Sequence, residues 1–462
     1  MQQRYNLRLL YIAYSMLGFT VPIFDPLYPY FSTTFGVGFD KIGLVFFGGS
    51  LIAIISNIIA GRVCDRYPFR RILLFSFLVT FFGFSYFAVC QSFFSLIITV
   101  IIVNIGYNFV WPGSYSAVFM DFSENYSEIY VNLDKFYYFS TLFGPLLVSL
   151  LFYLKLSPRI LFVFLAAVFG VMFVVFYFTF RKEEKRKYMK AGLNIETSGF
   201  ISGHESYRAR NMAADERNRN TIKNINDIEH DEAMNKSDCK EKIINTDLNN
   251  DGLECTYAYK GFRTIFKKAT VLSAVTLTLF ACVMVGSSAW LTTYFTSFDV
   301  PIFLSSIFVS IYWFFTFVGL QLISKMLKYF SEARLLFYGG LLSSIGLVFY
   351  GTVPNIYVKI IFIIMVAIGV SGIYPLAAAI SVRENPQASA TASGFTVAMG
   401  IAGSLIIQPL MGFVAEYFDK RNTPFVLLFI SIIGTFIAFL MVKHLKEPVF
   451  PGRKKSLDRK KL

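Results

Sequence analysis

Between two apolar runs the chain reads Gly61-Arg62-Val63-Cys64-Asp65-Arg66-Tyr67-Pro68-Phe69-Arg70-Arg71. Four cations and one carboxylate stand in a segment too short to fold alone. The residues on either side, roughly 42–61 and 72–92, are almost wholly apolar and about long enough to cross a bilayer as helices. Such a segment is a polar turn between two membrane helices. Its positive charge marks the face of the membrane on which it stays.

The same alternation fills the chain. Hydrophobic residues make up 55% of the 462 and charged residues only 16%. A soluble domain carries about a quarter charged residues, so this chain cannot cover a water-exposed surface of its size. A secreted disulfide scaffold and a soluble enzyme are excluded on that ground. The net charge of +14 is then a topology signal and not a nucleic-acid footprint. The five cysteines, at 64, 90, 239, 255 and 282, show no CxxC spacing, so neither a disulfide nor a metal site is expected.

Six apolar runs precede residue 181, at roughly 8–31, 42–61, 72–92, 94–120, 135–154 and 159–180. Six more follow, at roughly 269–295, 302–324, 335–353, 357–381, 389–415 and 424–442. The expected fold is an all-α membrane protein of twelve transmembrane helices in two six-helix bundles. Residues 1–180 form the first bundle, 181–268 a disordered linker, 269–442 the second bundle and 443–462 a basic tail. The first run follows only MQQRYNLR and has no small-residue cleavage site, so it reads as a retained helix.

An even number of spans leaves both termini on one side. With that side as the cytosol, it collects 37 of the 43 Lys and Arg. The other face receives Lys41, Lys155, Arg159, Lys359, Lys420 and Arg421. Without the long linker the ratio is still 19 to 6, which predicts cytosolic termini in the plasma membrane or an organelle membrane. The linker is polar, Asn-rich and of mixed charge. Its Asp247-Leu-Asn249-Asn-Asp251-Gly252 matches the start of a calcium loop, but Ala258 stands where the closing Glu belongs, so it reads as chance.

The halves repeat. Gly106 and Pro112 recur as Gly369 and Pro375, and Arg71 recurs as Arg334, all 263 residues apart. Tyr30-Phe31 recurs as Tyr294-Phe295 at an offset of 264. Duplicated six-helix units are typical of secondary transporters, which rock two bundles about a site near the midplane.

The opening stretch resembles the loop signature of the major facilitator superfamily, Gly-x-x-x-Asp-Arg-x-Gly-Arg-Arg or Lys. Gly61, Asp65, Arg66, Arg70 and Arg71 match, while Pro68-Phe69 replaces the usual Gly with one extra residue. The resemblance covers all twelve spans and implies that these five residues latch the halves together while the outward-open state forms. A carboxylate at Asp65 can hold the positive end of a neighbouring helix. Asp134 followed by Gly144-Pro145 is similar to the motif of drug:proton and vesicular amine antiporters, in which an acid precedes a Gly-Pro pair. A plain proline kink remains the other reading of that pair.

The resemblance places a solute among spans 1, 4, 7 and 10. Span 4 carries Asn104, Tyr107, Asn108 and Trp111 at helical spacing, one polar stripe that should face the interior. Trp290 and Tyr294 of span 7 and Tyr374 of span 10 complete the expected lining. Gly106, Pro112, Gly144, Pro145, Gly369 and Pro375 are the expected helix bends. Asp25, between Pro22 and Pro26, is the one carboxylate placed inside a span and hence the coupling candidate. No Lys or Arg is placed deep in any span, and His occurs only at 204, 230 and 444.

The function expected is alternating-access transport of a small neutral or cationic organic solute by a monomer, with protons as a candidate counter-ion. No cofactor, metal or nucleic-acid partner is expected, and no enzyme signature is present. Two alternatives stay open. One is an uncoupled facilitator of a small polar solute such as a sugar or nucleoside. The other, of a different class, is a non-transporting receptor or scaffold that acts through the linker.

Overall fold

A computed structural model of the chain describes residues 2–66, 69–89, 92–121, 126–190, 267–385 and 389–445. All regular structure among them is helical. A lipid core offers no hydrogen-bond partner, so a spanning segment must satisfy its own backbone, and a helix does so.

Twelve helical segments are long and apolar enough to cross a membrane. Spans 1 to 6 are Leu7–Phe35, Phe39–Asn57, Arg70–Val89, Phe93–Val110, Asn132–Tyr153 and Arg159–Lys182. Spans 7 to 12 are Lys268–Ala289, Ile302–Met326, Glu332–Thr352, Ile356–Glu384, Gly394–Tyr417 and Lys420–His444. Large apolar side chains such as Phe82, Phe94, Val171 and Phe429 point outward, as lipid requires. The inward faces are rich in buried Ser and Thr, which let helices approach and bond across.

Local chemistry sets the ends. Gly36 takes the left-handed conformation (φ 61°) that closes the helix Tyr28–Phe35. Ser331 accepts from Arg334 N–H to open span 9. Asn355 accepts from Tyr357 and Val358 N–H to open span 10.

Two boundaries differ from the sequence reading. Span 5 begins at Asn132, so Asp134 lies inside it and Asp25 is not the sole carboxylate within a span. Span 10 begins at Ile356, close to the sequence reading, but Lys359 in its first turn is buried and does not face the membrane surface. The helix of span 6 runs on to Lys190, through the basic run read as the start of the linker. The rest of that linker up to residue 266, and residues 446–462, lie outside the described residues.

Both halves pack alike. Span 3 lies on 4 and 6, span 2 on 4, and span 1 on 5; span 9 lies on 10 and 12, span 8 on 10, and span 7 on 11. The halves meet along two seams, span 2 against 11 and span 5 against 8, which the same twofold exchange relates.

The repeat extends to single contacts. A Cβ on Gly106 would collide with Thr80 Oγ1 and crowd Ser76 O, and one on Gly369 would crowd Gly339 O and Ser343. Ser76 and Gly339, and Thr80 and Ser343, are again 263 apart. Gly83 against Val103 and Gly346 against Val366 repeat the pattern one layer further along.

Candidate functional site

Prolines break the helices next to the seams. Pro22, Pro26 and Pro29 have no N–H to donate, so the carbonyls of Gly18, Pro22 and Asp25 lose their helical partners. Span 1 accordingly passes from the helix Gln2–Thr20 through two tight turns, Val21–Ile23 and Asp25–Leu27, into Tyr28–Phe35. Asp25 stands inside the break. Span 5 is interrupted at Leu142, between Tyr126–Thr141 and Phe143–Tyr153, where Pro145 frees the Thr141 carbonyl. The two breaks touch: a Cβ on Gly18 would collide with Tyr137 O, and one on Gly144 with Phe19 O. Span 10 is interrupted between Val370 and Ile373, ahead of Pro375, and span 7 turns at Trp290.

Around the break in span 1 the halves build an aromatic wall with one acid in it. Asp25 faces Ser288 of span 7 and the indole of Trp313 of span 8, whose N–H closes no hydrogen bond of good geometry. Tyr28, Tyr137 and Tyr312 lie within its electrostatic reach. Gln408, just ahead of Pro409 in span 11, holds two walls together. Its Oε1 accepts from Trp290 Nε1 at 3.1 Å and from Tyr28 Oη at 3.4 Å. The Tyr28 and Trp290 rings meet edge-on at 5.3 Å, and Tyr138 stacks on Trp313 at 6.3 Å.

Tyr28, Trp290, Tyr312 and Trp313 are buried, whereas Asp25, Tyr137 and Tyr374 keep part of their surface accessible. The acid thus keeps some accessible surface where the halves meet. A carboxylate is thereby set among aromatic ring faces. Tyr137 is also in electrostatic contact with Asp134, one turn before it, and with Tyr374 across the seam.

The span 4 stripe divides. Asn108 Oδ1 accepts from Asn57 Nδ2 of span 2 at 2.7 Å, and its own amide donates to Asn104 O. Asn104 donates to Val100 O and sits against Gly49 of span 2. Both amides are thus engaged within the first half, and Asn57, which the sequence places apart from the lining, is joined to it. Tyr107 lies beside Thr20 and Tyr137, nearer the interior. Trp111 and Pro112 are helical, and their side chains lie outside the described residues.

Of the other expected residues, Trp290 is in the wall, and the Tyr374 ring sits against Gly400 of span 11. Gly369 and Pro375 flank the interruption of span 10, and Gly144-Pro145 lie beside that of span 5. In span 4 the helix Phe93–Asp121 is continuous through Gly106 and Pro112, and Gly106 serves contact with span 3. Gly61, Asp65 and Arg66 end the helix Phe39–Arg66, with their side chains outside the described residues. Arg70 lies over the Phe180 ring at 5.1 Å, and Arg71 is exposed.

Tyr294 is tied into a cage that the sequence reading missed. Lys359 is 2% exposed, and its Nζ donates to Tyr294 Oη at 2.7 Å and to Tyr350 O at 2.8 Å. The rings of Tyr294, Phe298 and Tyr350 lie 5.3, 5.2 and 5.9 Å from the ammonium. The sequence reading counts Lys359 on the membrane face away from the termini; its ammonium is instead buried within the protein, in the first turn of span 10. A carbonyl, a hydroxyl and three ring faces replace the water that a buried ammonium loses. A signal was present: Lys359 stands among apolar residues (Ile356-Tyr-Val-Lys-Ile-Ile-Phe362), where a loop lysine has polar neighbours.

The sequence model of the Major Facilitator Superfamily matches residues 10–395 and 306–461. Among curated proteins, none matches by sequence. Among solved structures the fold is similar to a bacterial homolog of the human lysosomal transporter Spinster, in an inward-facing and unoccupied conformation. There the TM-score is 0.67 at 13% identity, covering 97% of this chain and 99% of that one. It is similar also to the nucleoside transporter NupG (TM-score 0.63, 13% identity, 94% and 99% covered). A POT family transporter in complex with 5-aminolevulinic acid gives a TM-score of 0.66 at 14% identity, with 96% and 97% covered.

Proposed function

The chain belongs to the major facilitator superfamily, and on that premise we propose that it is a secondary transporter which moves a small organic solute by alternating access. The observation that carries the reading is Asp25. It stands in a proline-made break, between the halves, bordered by Tyr28, Tyr312, Trp313 and Ser288. A carboxylate among aromatic faces favours a cationic solute over an anionic one.

The positive-charge bias supports cytosolic termini. The contacts that cross between halves support a chamber closed on the face away from the termini. They include Phe39 with Glu416, Ser149 with Phe303, and Tyr28 with Gln408. A solute would then enter or leave on the cytosolic side in this state.

A second reading concerns energy. If Asp25 takes up a proton when the solute leaves, the transporter is an antiporter. Without such uptake it is a facilitator. Reconstitution in proteoliposomes separates these. A panel of organic cations, nucleosides and sugars, assayed with and without a pH gradient, should show saturable movement of cations. Accumulation driven by pH marks the antiporter, and equilibration alone marks the facilitator. Movement of none of them would sink the transport reading.

A further inference from the structure

The seam between spans 2 and 11 contains a catch that neither the opening loop nor the chamber accounts for. Span 2 starts at Phe39, whose N–H is one of the amides that a helix cannot satisfy internally. The residue before it is Gly38, which has no side chain to cap with. The acceptor comes instead from the other half: Glu416 Oε2 takes the Phe39 N–H at 2.7 Å, across 377 residues of sequence. Glu416 and Asp40, the acid of span 2's own first turn, both lie against Gly38, where a Cβ would crowd their carboxylates, and Lys420 covers the Phe39 ring at 4.6 Å. An acid here meets the positive end of the span 2 dipole.

The contact reaches the chamber along one face of span 11. Gln408, Gly412 and Glu416 follow at intervals of four, one helical stripe. A Cβ on Gly412 would stand 2.6 Å from Phe39 O, and one on Gly43 would stand 2.5 Å from Gln408 O. Gln408 in turn holds Tyr28 and Trp290. Lifting Glu416 from span 2 therefore also draws Gln408 away from the chamber wall.

At the matching place of the related seam a neutral group does the holding: Phe303, which stands 264 residues after Phe39, is gripped by Ser149 through a hydroxyl donating to Phe303 O at 2.6 Å.

We infer that Glu416 is the charged catch holding the chamber shut on the face away from the termini, by capping the N-terminus of span 2 from the opposite half. Asp65 stands in the last turn of the same span 2 helix, at the opposite end of the pair. The inference rests on the transport reading for its purpose but not for its test.

The test uses no solute. Ser306 is fully buried two turns before Trp313 on the same face of span 8, and its hydroxyl bonds only within its own helix. Ser306→Cys is introduced after the five native cysteines are replaced. The protein is reconstituted, and its sidedness is fixed by protease cleavage of the 191–266 stretch. Labelling by a membrane-impermeant maleimide is then followed from the face away from the termini. Loss of a charged cap of about 1 kcal/mol corresponds to about a fivefold shift of population, so Glu416→Gln should raise the labelling rate about fivefold. Glu416→Ala should do at least as much, and Ser149→Ala clearly less. Unchanged labelling in Glu416→Gln, or an equal rise in Ser149→Ala, overturns the inference. Should Glu416→Ala fail to fold, Glu416→Gln, which keeps shape and an acceptor, carries the test.

Discussion

Asn57 and Asn108 join spans 2 and 4 through a side-chain hydrogen bond, Nδ2 to Oδ1 at 2.7 Å. The two residues should therefore behave as one unit. Asn57→Leu or Asn108→Leu alone strands a partly buried amide, which costs about 1–3 kcal/mol. The double variant should lose less than the sum, with a coupling of about 1 kcal/mol. Thermal unfolding of the four purified proteins in detergent gives the cycle. Strict additivity would mean that the pair contributes nothing jointly.

Lys359 makes an unusual prediction about rank. It is buried with a hydroxyl, a carbonyl and three rings, and no salt bridge to it is formed among the described residues. Lys359→Met removes the charge together with its desolvation cost and should change stability by less than about 1 kcal/mol. Tyr294→Phe leaves the charge and removes a partner, and should cost about 1–3 kcal/mol. Thermal melts of the two variants, side by side, check the order.

Asp25→Asn should weaken apparent affinity for organic cations about 10- to 100-fold, as expected when a charge-assisted contact worth about 1.5–3 kcal/mol is lost. Neutral solutes should be affected far less. If Asp25 carries protons, the variant loses pH-driven accumulation but keeps counterflow. Equal loss for cations and neutral solutes would assign Asp25 to structure alone.

Asp65→Asn should lower transport with little change in the amount of protein in the membrane. Charge and not bulk is what a helix N-terminus reads. Full transport by this variant, measured in the same proteoliposomes, would remove the latch from the cytosolic face.

Deleting residues 195–255, which lie outside the described residues, should leave transport largely intact. Uptake per molecule at the cell surface is the measurement. Abolished uptake at normal surface amounts would favour the receptor or scaffold reading, in which that stretch does the work.

Composition and apolar run length made the twelve spans legible, because lipid leaves the chain little choice beyond apolar helices about twenty residues long. The 263-residue offset was legible too, since Gly and Pro positions are few and constrained. Rotation about each helix axis was not. The stripe Asn104, Tyr107, Asn108 and Trp111 specifies a face, but which neighbour receives it depends on the packing of span 2. Lys359 was misplaced because it stands within a few residues of a span end, where a lysine ordinarily turns to water. Only Tyr294, Phe298 and Tyr350, brought together from two other segments, make the inward direction favourable. Gln408 carried no local signal, and its importance arises from two rings supplied by spans 1 and 7.

The glycine contacts at 106 and 369 also have a mechanical meaning. At Gly106 against Thr80 and Ser76, and at Gly369 against Gly339 and Ser343, paired helices come within backbone reach, with only short Ser and Thr side chains between them and Ser76 Oγ donating to Gly106 O. Spans 3 with 4 and 9 with 10 are thereby the stiff struts of each half. Compliance is left to spans 1, 5 and 7 and to the far segment of span 10, where the helical ladder is interrupted. Strain applied at the chamber wall should concentrate at those four joints, while the struts transmit it unbent to the membrane surface.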